Sequence, residues 1–142
     1  MRWLTRHAKV LLAAYGVFLA LALLSPASTL QSDSVRLLGQ LLSYLGAPEA
    51  LTLQPRLEFI MNAVIIAPVP FLGYLLFPKY SWRDCTALGF VGALIVEILQ
   101  GLLLPERNAS WTDVVANTLG ALLGAGLAEV SRLLARRRLS VS

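Results

Sequence analysis

Four apolar runs separated by short polar stretches set out the architecture of this chain. They are Val10–Leu24, Phe59–Phe77, Cys85–Leu104 and Val114–Leu134. A helix needs about 20 mostly apolar residues to cross a bilayer, with a range near 17–25. The last three runs meet that length outright, and the first reaches it when extended back to Ala8. The predicted spans are therefore 8–24, 59–77, 85–104 and 114–134. Between the first two, Ser32-Asp33-Ser34 offers a helix start and Gly46 before Ala47-Pro48 a stop. Val35, Leu38, Leu41, Leu42 and Leu45 recur there at helical spacing, opposite Arg36, Gln40 and Ser43. This pattern predicts an amphipathic helix over 33–45, lying in the outer interface or folded over the end of the bundle. The expected fold is all-α: a polytopic four-helix membrane bundle forming one domain over residues 1–142.

Composition agrees with that pattern. The 142 residues are 57% hydrophobic and only 14% charged, with a mean hydropathy of +0.70. Soluble domains carry roughly 25% charged residues. The distribution of charge predicts orientation. Arg2, Arg6 and Lys9 precede the first run, Lys79 and Arg83 lie between the second and third, and Arg132 and Arg136–Arg138 end the fourth. Basic residues concentrate on the cytoplasmic side of membrane proteins, so both termini are expected in the cytoplasm. The Pro26–Glu58 and Pro105–Trp111 loops are then expected outside. Trp3, Trp82 and Trp111 fall near the predicted interfaces. The net charge of +4 and pI near 9.7 point to anionic lipid heads and away from nucleic acid. A rival reading takes the first run and the Ser25-Pro26-Ala27 step as a cleaved secretory signal; a retained helix is the expectation here.

Candidate chemistry gathers in Glu97–Gly124, EILQGLLLPERNASWTDVVANTLGALLG. Charged groups inside hydrocarbon cost roughly 3 kcal/mol or more and mark functional positions by default. Glu97 and Gln100 lie in the last two turns of the third span, and Asp113 and Asn117 in the first two turns of the fourth. Asn62 lies near the outer end of the second, and Arg107 lies in the loop. The five on the spans fall in the outer third and Arg107 just above, so they are expected to form one outward-facing polar pocket. Gly89, Ala93, Glu97, Gln100 and Gly101 share one helix face, and Asp113, Asn117, Gly120, Ala121, Gly124 and Ala128 share another. Small residues let helices approach closely, so these two faces are expected to meet.

Each residue has two readings. Glu97 is a proton-bearing or ligand-binding carboxylate, or a paired group holding helices together. Gln100 and Asn62 read more readily as interhelical hydrogen-bonders. Asp113 doubles as a helix N-cap. Arg107 neutralises a carboxylate or binds an anionic head group through its guanidinium fork. Gly120 and Gly124 are packing positions. Pro68 and Pro70 remove backbone donors and should kink or open the second span. The single cysteine, Cys85, and the single histidine, His7, offer no metal or disulfide arithmetic. No metal site and no cofactor are expected, nor any catalytic residue unless Glu97 or Asp113 acts as a base or nucleophile.

Asn62 with Pro68, then E-x-x-Q (Glu97, Gln100), then Arg107, then D-x-x-x-N-T-x-G (Asp113, Asn117, Thr118, Gly120) and Gly124 resemble the VanZ-like membrane family. The resemblance covers roughly Glu58 to Gly126. It departs at Ala67-Pro68-Val69-Pro70, where the family more often shows a Pro-Leu-Gly step. The resemblance implies a small bacterial inner-membrane protein linked to low-level resistance towards lipoglycopeptides such as teicoplanin. Expected partners are membrane lipids, and further a lipid-linked wall precursor or the lipoglycopeptide itself. The glycine faces could also pair two copies. A membrane enzyme acting on a lipid-linked substrate, and a structural partner of another membrane protein, are the competing function classes.

Overall fold

The computed structural model describes residues 2–23, 28–104 and 110–140. Among the described residues the chain is all-helical. The helices are α1 (Arg2–Leu23), α2 (Ser28–Tyr44), α3 (Glu49–Thr52), α4 (Gln54–Ile66), α5 (Pro68–Leu76), α6 (Trp82–Leu103) and α7 (Trp111–Ser140). The stretches Gln54–Leu76, Trp82–Leu103 and Trp111–Arg138 are each long and apolar enough to cross a membrane, while the apolar part of α1, His7–Ala22, is shorter. The surface is as informative as the lengths. Leu21, Leu102 and Leu123 are 70%, 75% and 55% exposed, whereas soluble monomers rarely leave large contiguous apolar patches in water. The buried positions are dominated by small residues: Ala116, Ala121, Ala125 and Ala128 of α7 have no exposed surface. Small inside and large outside is the pattern of helices packed in lipid, where close backbone approach holds them together.

Helix ends follow local chemistry. Gly46 ends α2 at φ +81, a left-handed position that glycine adopts without strain. The Gly46 amide donates to the Ser43 carbonyl at 3.0 Å and the Ala47 amide to the Leu42 carbonyl at 2.9 Å, which satisfies two carbonyls of the last turn. Ser81 opens α6 with a capping box: its hydroxyl accepts from the Asp84 amide, and the Asp84 carboxylate accepts from the Ser81 amide. Such a box satisfies two of the four orphan amides of a helix start.

Pro68 and Pro70 act as expected on the second span, and the structure locates the break. α4 ends at Ile66, Ala67 keeps helical angles (φ −51, ψ −36), and α5 begins at Pro68. The prolines have no N–H, so the Val64 and Ile66 carbonyls have no donor four residues on. The Tyr15 hydroxyl of α1 donates to the neighbouring Ile65 carbonyl at 2.7 Å.

α7 is the centre of the bundle and packs on α6, α4 and α5; α1 packs on α5, and α2 on α4. The seam between α7 and α4–α5 is parallel and very tight. A methyl group added at Gly120 would fall on the Ala63 carbonyl, and one at Gly124 on the Ala67 carbonyl. The expectation that the small-residue face of the fourth span meets the third holds for part of that face and is corrected at the two glycines. Gly89 of α6 does meet Ala121 of α7, but Gly120 and Gly124 are spent on the backbone of the second span. α2 likewise divides its faces. Val35 is buried and Gly39 lies close to Leu57 and Thr52, while Leu37, Leu41 and Leu45 stay exposed.

Candidate functional site

The site gathers around the first turns of α7. Ser110 precedes the helix, and its carbonyl accepts from the Asp113 amide at 3.1 Å and the Val114 amide at 3.3 Å. The Ser110 amide, one of the orphan donors of a helix start, donates to the Glu97 carboxylate of α6. A carboxylate at that place is favoured by the positive end of the helix dipole. Glu97 is thus held at the mouth of the α6–α7 hairpin, 6% exposed. From the other flank, Asn62 of α4 donates through Nδ2 to Oδ1 of Asp113 at 2.8 Å. One helical turn of α7 therefore links groups that are far apart in the chain.

The expected site residues fall as follows. Asn62 and Asp113 pair directly and are half-buried, and Glu97 joins them through Ser110. Gln100 is buried one turn beyond Glu97 on the same helix. Asn117 is buried one turn below Asp113 and lines a cavity of about 540 Å³. Asp113 lies in the first turn of α7 rather than ahead of it; its carboxylate accepts from Asn62 of α4. Arg107 lies outside the described residues, as does the Ser25-Pro26-Ala27 step.

A second polar group was not anticipated. At the opposite end of the seam the Tyr74 hydroxyl of α5 donates to the Glu129 carboxylate of α7. The Arg132 guanidinium lies 4.6 Å from the centre of the Tyr74 ring, within cation–π range. From sequence Arg132 reads only as part of the basic end of the chain. The signal that could have found it and Glu129 is their i, i+3 spacing on the face that continues Ala125 and Ala128, both fully buried.

An all-helical chain with an apolar exterior, small-residue seams and buried polar groups at a hairpin mouth defines a polytopic membrane protein with a formed polar site. The chain belongs to the VanZ/LLP1 family, whose sequence profile matches residues 9–133. No curated protein and no solved structure matches it.

Proposed function

We propose that this protein crosses the bacterial inner membrane four times, with both termini in the cytoplasm. Its α6–α7 hairpin end faces outward and binds a polar or anionic group presented at the outer leaflet: a lipid head group, a lipid-linked wall precursor or a lipoglycopeptide. The observation that carries this is the convergence of Asn62, Glu97 and Asp113, from three helices, on the first turn of α7, with Asn117 just below at the wall of a cavity. Arg107, in the loop above, would meet an anion, and Gln100 and Asn117 would supply hydrogen bonds. The basic ends of the chain support the orientation. The exposed Leu37 and Leu41 of α2, with Leu45 just after it, support a helix resting in the outer interface.

Binding is favoured over catalysis because both carboxylates already hold structure. Glu97 takes the Ser110 amide and Asp113 takes Asn62, so neither is left as an uncommitted base. A role in teicoplanin-type resistance, which the family resemblance implies, is part of the proposal. The test is teicoplanin and vancomycin susceptibility in a host making wild type or Glu97→Gln, at matched membrane levels. The glutamine keeps an acceptor for Ser110 and removes the charge. Selective teicoplanin protection by wild type and not by the variant is the expected result. Equal protection by both would remove Glu97 from the site, and no protection by either would remove resistance from the function.

A further inference from the structure

The polar face of α2 takes no part in the hairpin mouth, yet it forms one wall of a second cavity, of about 410 Å³. Arg36, Gln40 and Ser43, at i, i+4 and i+7, line it from α2, and Thr52 and Gln54 line it from the join of α3 and α4. Gly39 sets the spacing of the two walls. A methyl there would meet Leu57 at 3.1 Å and the Thr52 carbonyl at 3.2 Å, so α2 is seated closely on its neighbours beside the cavity.

The walls offer opposite chemistry. On α2, Gln40 and Ser43 donate to no described residue. Arg36 spends one contact of its guanidinium fork on Asp33, at 3.3 Å, and both side chains of that pair are more than half exposed, so the pair itself holds little energy. On the facing wall the protons are already spent. Thr52 donates through Oγ1 to the Glu49 carbonyl at 3.1 Å, and Gln54 donates through Nε2 to the Glu58 carboxylate at 3.2 Å. The Thr52 oxygen and the Gln54 carbonyl remain as acceptors. Asp33 and Glu58, the carboxylates joined to the lining, do not line the cavity themselves, and Arg36 is the one charged group among the described lining residues.

A ligand that satisfies both walls accepts at one end and donates at the other. Arg36 and Gln40 lie one helical turn apart, close enough for a single phosphate to take both. The exposed Leu37 and Leu41 form the adjoining face of α2. With that face at the acyl boundary, the polar wall of a helix about 10 Å across lies among the head groups, whose common anion is phosphate. This depth, unlike the chemistry of the walls, rests on the interfacial placement of α2.

We infer that the cavity is a second binding site, for a phosphate ester of a polyol. Arg36 and Gln40 hold the phosphate, and Ser43, Thr52 and Gln54 hold the hydroxyls of the alcohol. The head group of phosphatidylglycerol and soluble glycerol phosphate share this chemistry.

The test follows the Arg36 Nε–H and Gln40 side-chain amide signals of the full chain in dodecyl maltoside micelles by nuclear magnetic resonance. Glycerol phosphate, inorganic phosphate, dihexanoyl phosphatidylglycerol and dihexanoyl phosphatidylcholine are titrated in turn. Tighter binding of phosphatidylglycerol than of glycerol phosphate assigns the site to membrane lipid and equal binding to a soluble ester; both keep the site. Phosphatidylcholine has the phosphate but no hydroxyl to donate, and should bind about tenfold more weakly than phosphatidylglycerol. Arg36→Gln, read at Gln40, should weaken every phosphate compound about tenfold. Asp33→Asn, which releases Arg36, should tighten them about threefold. Gln54→Leu should weaken the glycerol esters about fivefold and leave inorganic phosphate unchanged; Thr52→Val repeats this should Gln54→Leu disturb the start of α4. Signals unmoved by every phosphate compound, or moved as readily in Arg36→Gln, would overturn the site. Phosphatidylcholine bound as tightly as phosphatidylglycerol would overturn the polyol half. No residue of the hairpin mouth enters these titrations, so the cavity and the mouth can each fail alone.

Discussion

Glycine does opposite work on the two flanks of this bundle. Along the seam between α7 and α4–α5, Gly120 and Gly124 exist because backbone atoms of Ala63 and Ala67 stand where a side chain would be. Across the gap lined by α1, α5 and α6, Gly73 and Gly92 face open space. The seam also has a polar fastening at each end, Asn62 with Asp113 and Tyr74 with Glu129. One side of the molecule is closed as far as helices allow, and the other is held open. The lesson is that a glycine-rich membrane helix does not by itself announce packing; what matters is which neighbour occupies the missing volume.

Substitution at these positions can break or sharpen that contrast, with unfolding in detergent micelles, by SDS titration, as the common measurement. The largest effect is expected for Gly124→Val, which must push α7 off the Ala67 carbonyl. It should cost about 3 kcal/mol, the upper range for overpacking, and stability kept within error would show that the seam yields. Tyr74→Phe comes next. It deletes the donor to Glu129 and should cost about 1.5 kcal/mol, as for a hydrogen bond to a charged group. No loss there would mean that Arg132 and the surrounding packing already suffice. Asn62→Ala should cost only about 0.6 kcal/mol, the average for polar contacts between membrane helices. A much larger loss would make the hairpin end the main lock of the seam. Gly92→Ala is the smallest and has the opposite sign. With nothing in its way, the methyl should stabilise α6 by about 0.5 kcal/mol through reduced backbone entropy in the unfolded chain. Destabilisation would show that the gap closes in the membrane.

Much of the hairpin end could be read from the sequence, because its information is local. Carboxylates and amides within two turns of a predicted loop have few places to go, so the grouping of Glu97, Asp113 and Asn117 followed from span boundaries alone. Asn62 followed from topology, since alternate helix termini share one end of a bundle. The partner of each group was harder. Small-residue spacing in α7 told that some backbone comes close, but periodicity carries no address, and Gly120 and Gly124 went to α4–α5 rather than α6. Tyr74 and Glu129 meet across 55 positions of sequence, and no local pattern joins them. The gap left no mark either, because a void is defined by side chains that are not there.

The broken span has a consequence for how this protein is made. Tyr15 leaves the ribosome 50 residues ahead of the carbonyl it serves. That carbonyl, at Ile65, adjoins two others that Pro68 and Pro70 deprive of their helical donors. α1 therefore has no seat until α4–α5 has been made, and the prolines between those helices also mark where the earlier helix must stop sliding. α1 thus waits for the element it docks on, and the Tyr15 hydroxyl marks the register at which it stops.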